Sequence, residues 1–87
     1  MNHHQRKTLH AIFAHPLQSN LHGPDIEHTL TSLGAEISVK SGSRIGVSLN
    51  GHAAAFHRPG HSVPKQEVME IRKFLETCGV TPDAYPV

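Results

Sequence analysis

Residues 41–61 read S-G-S-R-I-G-V-S-L-N-G-H-A-A-A-F-H-R-P-G-H, and this stretch decides the fold. Apolar residues alternate with polar or small ones over residues 44–49 (R-I-G-V-S-L), the pattern of a strand covered on one face. Asn50 and Gly51 follow directly and suit the two positive-φ positions of a type I′ turn. The stretch therefore predicts a β-hairpin with a two-residue turn.

A two-residue turn fixes which side chains meet across the hairpin. Counting outward from the turn, Ile45 lies opposite Phe56, and Arg44 lies opposite His57. Directly opposed side chains on one face have Cβ atoms roughly 4.5–5.5 Å apart. The register therefore predicts a guanidinium beside an imidazole, on the sheet face away from Ile45 and Phe56.

A first strand precedes the hairpin, because residues 35–39 alternate apolar and polar side chains. Its inward residues, Ile37 and Val39, must share a face with the inward apolar residues of the next strand. A two-residue loop would place them on the wrong face. We therefore expect a three- or five-residue loop within residues 40–44, with Gly42 at positive φ.

Helical periodicity flanks the three strands. Apolar residues recur at helical spacing over residues 3–14, 23–33 and 65–78, and a glycine follows each of the last two segments as a C-terminal cap. The element order predicts an α+β fold: a three-stranded antiparallel sheet with helices on one face and the other face open.

The predicted organisation is one domain spanning residues 1–87. An N-terminal helix at 3–14 extends an α-β-β-β-α core over 23–79, and residues 80–87 form an extended tail with two prolines. This arrangement leaves the face that carries the predicted guanidinium and imidazole free for a partner.

The composition restricts the class of protein. The 37% apolar content is typical of a globular chain, and the net charge of +1, with nine histidines counted as neutral, permits an anionic partner without demanding one. Cys78 is the only cysteine, so no internal disulfide forms; it lies on the apolar stripe of the last helix, which favours a packed core thiol. No apolar run approaches the roughly 18–20 residues of a membrane span, and no signal peptide is visible. We expect a cytoplasmic protein with no membrane partner.

Three features together resemble the HicA family, the small bacterial toxins of type II toxin–antitoxin systems. They are the helix-strand-strand-strand-helix order, a G-S-basic tripeptide at residues 42–44, and an F-H-R-P-G-H run at residues 56–61 before the last helix. The resemblance covers roughly residues 23–79. It implies a double-stranded-RNA-binding-domain-like fold and cleavage of mRNA without a metal or other cofactor. It also implies a HicB-like antitoxin protein that masks the active site, and no direct DNA binding by the toxin alone.

The sequence departs from the family at one position. The family pattern is G-S-H, whose histidine is taken as catalytic, and the matching position here is Arg44. Because His57 lies across the ladder from Arg44, it is the natural substitute as general acid or base, with His61 as second choice. Arg44 would bind a phosphate and stabilise charge in the transition state. The residues then expected to contact the RNA backbone are Lys40, Ser43, Arg58 and Lys65.

Bacterial mRNA is thus the expected substrate, and two classes of function remain open. The chain is either an mRNA-cleaving ribonuclease or an RNA-binding or antitoxin-binding module that has lost catalysis with the family histidine. No metal site is expected, because His57 and His61 have no cysteine or acidic ligand at matching spacing. A purely structural domain is disfavoured by the small residues predicted for the open face, namely Gly46, Ser48, Ala53 and Ala55.

Overall fold

A computed structural model describes residues 1–17, 21–40, 42–57 and 62–87. The described chain is α+β, with three antiparallel strands and three α-helices, as predicted. No helix in these ranges has the length and apolar content to cross a membrane. The elements are α1 His3–Ile12, α2 Gly23–Ser32, β1 Glu36–Val39, β2 Arg44–Leu49, β3 His52–His57, α3 Lys65–Thr77 and a 3-10 helix at Pro82–Ala84. Each helix begins at the predicted residue and ends one or two residues earlier than predicted.

The β2–β3 hairpin confirms the predicted turn and register. Asn50 has φ 52° and Gly51 has φ 82°, so both occupy the left-handed region that a type I′ turn requires. Arg44 pairs with His57 across the ladder, and the next residue of β2 pairs with Phe56. The strand order is β1-β2-β3, so β2 is central and the other two strands are edges.

The β1–β2 connection also agrees with the loop length predicted from the alternation of inward and outward residues. Ile37 pairs with Val47 and Val39 with Ile45, which leaves five residues, 40–44, between the paired ends. The side chain of Val39 was expected to point inward, but it is 63% exposed. Val39 is the last residue of an edge strand, so neither a second strand neighbour nor the helix layer covers it fully.

The helix layer is built from three helices rather than two. α2 packs on β1 and α3 packs on β3, while the backbone of α1 lies close to both helices and to none of the described strands. In the described chain the backbones of α2 and α3 do not contact each other. Leu9 and Ile12 of α1 are fully buried in the same hydrophobic core as the sheet residues. The N-terminal helix, predicted as an extension, therefore contributes directly to the core.

The segment after α3 is not simply extended. It contains the 3-10 helix Pro82–Ala84, and Val80 is buried in the core. His10 of α1 donates a hydrogen bond from Nε2 to the carbonyl of Tyr85 at 2.8 Å. Residues after α3 therefore pack against α1. The prediction of an extended tail, which was based on its two prolines, did not include this contact.

The C-terminal end of α3 is attached to the hairpin turn. Asn50 Nδ2 donates to the carbonyl of Cys78 at 2.9 Å, and the Cys78 thiol lies 3.4 Å from the carbonyl of Leu49. Cys78 is 7% exposed, which confirms that it is a core thiol, and burial raises the pKa of this thiol above its usual value.

Candidate nucleic-acid interface

The sheet face opposite the helices, called here the open face, carries the candidate site. The inward residues of β2 are 1–3% exposed, whereas Arg44 and Ser48 on the other side of the strand are exposed. Pairing across the three strands arranges the open face in rows. From the hairpin-turn end these rows are Glu36–Ser48–Ala53, Ser38–Gly46–Ala55 and Lys40–Arg44–His57.

The last of these rows, called here the cationic row, brings Lys40, Arg44 and His57 together. The backbone N–H of Lys40 donates to the carbonyl of Arg44 at 2.9 Å, which continues the β1–β2 ladder beyond the strand. Neighbouring strands lie about 4.8 Å apart, so the row spans on the order of 10 Å. No acidic side chain in the described chain forms an ion pair with Lys40 or Arg44. Like charges placed side by side repel, so an anion bound between them would be favourable.

Ser43 adds a hydroxyl to the cationic row. Its Oγ lies 3.5 Å from Nδ1 of His57, at the long limit of a hydrogen bond. Nε2 of His57 makes no hydrogen bond within the described residues, so it is available to a ligand. A neutral imidazole can accept a proton at one nitrogen while the other donates, which suits general acid–base chemistry near neutral pH.

Lys65 lies apart from the open face. It is the first residue of α3 and is exposed. The other end of α3 is attached to the hairpin turn through Asn50, and α3 rises about 18–20 Å over its length. Lys65 therefore lies in the helix layer, at the end of α3 that is remote from the hairpin turn. Arg58 and His61 fall outside the described residues, so their expected roles stay predictions.

A shallow groove of about 470 Å³ follows the open face beside the cationic row. Its walls include Glu36, Ser38 and Lys40 of the β1 edge, and its floor consists of small residues of β2 and β3. Glu36 and Ser38 were not singled out from the sequence. Strand alternation would have identified them as open-face residues, because they alternate with the inward residues of β1. The floor residues are Gly46, Ser48, Ala53 and Ala55.

The described residues provide neither a metal site nor a thiol beside the cationic row. No group of three or more histidine, cysteine, aspartate or glutamate side chains converges on a possible metal position there. Cys78 is far from the cationic row, because its partners Asn50 and Leu49 lie at the hairpin-turn end of the sheet. The polar groups available on the open face of the described chain are therefore guanidinium, ammonium, hydroxyl and imidazole groups, together with the carboxylate of Glu36.

No protein-family model, curated protein or solved structure matches this chain.

Proposed function

We propose that the protein is a metal-independent endoribonuclease that cleaves mRNA, the toxin of a HicA-like toxin–antitoxin pair. The observation that carries the proposal is the cationic row. It combines a guanidinium, an ammonium and an imidazole, on a helix-free sheet face, with no acidic partner for either charged group in the described chain. This set of groups fits the phosphodiester of RNA and the proton transfers that its cleavage requires.

The proposed reaction uses the RNA 2′-hydroxyl as nucleophile. The 2′-oxygen forms a bond to the adjacent phosphorus while the bond from phosphorus to the 5′-oxygen breaks, giving a cyclic phosphate and a 5′-hydroxyl. His57 carries out one of the two proton transfers at Nε2, either removing the proton of the 2′-hydroxyl or delivering a proton to the 5′-oxygen, and His61 or water carries out the other. Ser43 beside Nδ1 helps to orient the His57 ring. The Arg44 guanidinium binds the non-bridging oxygens and stabilises the negative charge that grows on them.

The fold supports RNA as the ligand in a second way. Helices on one face of a three-stranded antiparallel sheet are compatible with a double-stranded-RNA-binding-domain-like arrangement. In this proposal Lys40 contacts the RNA backbone from the open face, and Lys65 does so from the end of α3. Arg58 is proposed as a further contact to the RNA backbone, and His61 as a second histidine.

The proposed partner is a HicB-like antitoxin that covers Arg44 and His57. The open face offers two cations beside a flat area of alanine and glycine, so an acidic and partly apolar surface would complement it. The proposed site of action is the bacterial cytoplasm, where mRNA is accessible.

A second candidate is a module that binds RNA or the antitoxin without cleavage. The observation that favours it is that, among the described residues, His57 is the one imidazole in the rows of the open face. Cleavage through the 2′-hydroxyl uses both a general acid and a general base. A single imidazole must therefore act first as one and then as the other, or a second group must supply the other role.

Expression of the full chain in bacteria without its partner separates the two candidates. The comparison is with His57→Ala and with His28→Ala, an exposed histidine of α2 that serves as the control. Growth arrest and loss of full-length mRNA in the parent and in H28A, but not in H57A, would establish a ribonuclease that depends on His57. Arrest that persists in H57A would move the chemistry to another residue. Normal growth with a folded product would favour the binding module.

A further inference from the structure

We propose that the groove on the open face binds one nucleotide of the RNA, with its phosphate at the cationic row and a guanine base at Glu36. This inference rests on the proposed function, because it names the part of the substrate beside the reacting phosphate. The groove volume of about 470 Å³ lies within the range of about 300–1,000 Å³ that is typical of small-ligand sites.

The floor of the groove lets Lys40 lie flat across the sheet. A Cβ atom built on Gly46 would stand 2.6 Å from Lys40 Cε and 3.5 Å from Lys40 Nζ. The lysine stem therefore occupies the space that any other residue at position 46 would fill. Its ammonium is held over the groove instead of projecting away from the sheet, so a phosphate bound at Arg44 would meet a second cation.

The two ends of the groove differ in charge. Glu36 lies on the same face of β1 as Lys40 and four residues before it, a separation of about 13 Å between Cα atoms. A carboxylate repels phosphate, so a nucleotide can enter only with its phosphate toward Lys40 and its base toward Glu36. Because the Lys40 stem lies over Gly46, its ammonium lies nearer to Glu36 than this separation, and Arg44 in the outer row marks the far end of the space for one nucleotide.

The chemistry of Glu36 selects among the bases. An ionised carboxylate only accepts hydrogen bonds, and it offers two oxygens side by side. Guanine presents two adjacent donors, N1–H and the 2-amino group, whereas the pairing edges of the other three bases lack two adjacent donors. The described residues of the open face include no aromatic side chain on which a base could stack, so recognition would act through the base edge.

Titration of the four nucleoside 3′-monophosphates into the isotopically labelled full chain, followed by NMR, tests this inference. We expect guanosine 3′-monophosphate to bind about tenfold more tightly than the others. It should shift the backbone amide signals of Ser38, Gly46 and Ala55. Glu36→Gln should bring the four affinities close together, while Glu70→Gln, at an exposed position on α3, should preserve the preference.

Equal affinities for all four nucleotides, or an unchanged preference in E36Q, would overturn the inference. So would signal changes confined to residues outside the open face. Arg44→Ala separates this failure from failure of the proposed function. If the cationic row binds phosphate, R44A should weaken the binding of all four nucleotides to the same extent. This result does not depend on the role of Glu36. If R44A changed none of the affinities, the proposed function itself would fail.

Discussion

Arg44 and His57 lie directly opposite each other across the β2–β3 ladder, on the sheet face that none of the described helices covers. Backbone pairing holds them in place, since no hydrogen bond joins the two side chains in the described chain. Replacing one should therefore leave the other where it is. Because both are exposed, such substitutions are expected to change stability by less than about 0.5 kcal/mol.

Arg44 is predicted to account for about one phosphate contact. Arg44→Ala should reduce the slope of log affinity against log salt by about 0.7–0.9, since one fewer counterion is released when RNA binds. Arg44→Lys should keep the slope but bind less tightly, because an ammonium cannot hold phosphate bidentately. Fluorescence anisotropy with labelled 2′-O-methyl RNA, which lacks the nucleophile, measures both quantities.

The control for this measurement is Lys73→Ala, which removes an exposed cation from α3. Its salt slope should equal that of the parent protein. An R44A variant with an unchanged slope would show that RNA binds elsewhere.

Asn50 is predicted to stabilise the fold in two separable ways. It adopts φ 52° in the turn, and its side chain donates a hydrogen bond to the carbonyl of Cys78. Asn50→Gly keeps the conformation and loses only the hydrogen bond, which should cost about 0.5–1.5 kcal/mol. Asn50→Ala also loses the bond, and it leaves in the left-handed region a residue that adopts this conformation less readily than asparagine or glycine, so it should cost about 1–2 kcal/mol more than N50G. In urea unfolding, the parent should be the most stable, N50G the next and N50A the least stable. Equal unfolding midpoints for the two variants would contradict the predicted contribution of the left-handed backbone conformation at residue 50.

The hairpin could be predicted from sequence because its determinants are local. Asn50-Gly51 selects the turn, the turn selects the register, and the register alone places Arg44 beside His57. Strand alternation in the same way restricted the β1–β2 connection to three or five residues, since a shift of one residue would turn Ile37 away from the helices. Arguments of this kind need no knowledge of distant neighbours.

The remaining features depend on elements that meet only in three dimensions. The stripe of Leu9 and Ile12 showed that α1 has an apolar face, but not that this face fills the space between α2 and α3. Alternation showed that Val39 faces the helix side, but not that the helix layer fails to cover it. The side chain of Lys40 lies over Gly46 because the two strands are adjacent and glycine leaves room, and no single-strand pattern encodes that contact.

The burial of α1 predicts that the N-terminal helix is required for folding. Leu9→Ala should destabilise the protein by about 2–5 kcal/mol, because Leu9 is fully buried and its removal leaves a cavity in the core. Lys7→Ala, at an exposed position of the same helix, should have little effect. Denaturant unfolding measures both variants. A Leu9→Ala protein as stable as the parent would mean that α1 is a dispensable addition to the core.

The buried thiol of Cys78 predicts a loss of stability at alkaline pH. Burial raises the pKa of this thiol, so over a range above the usual thiol pKa the unfolded chain releases a proton that the folded chain keeps. Stability should therefore fall as pH rises through this range, and the effect should vanish below it. Urea unfolding between about pH 8 and pH 10 should show a steeper decline for the parent than for Cys78→Ala. Parallel declines in the two proteins would contradict this assignment.

Gly46 is predicted to matter for binding and not for stability. Gly46→Ala places a methyl group within 2.6 Å of the end of the Lys40 stem, a flexible group that can swing away, and its backbone conformation lies outside the left-handed region. The strand should therefore tolerate the alanine, with a melting temperature equal to or slightly above that of the parent. Displacing Lys40 from the groove should nevertheless weaken binding of 2′-O-methyl RNA. Thr31→Ala, at an exposed position of α2 and outside the open face, is the control and should bind like the parent. If Gly46→Ala bound RNA as tightly as the parent, the position of Lys40 over Gly46 would have no part in recognition.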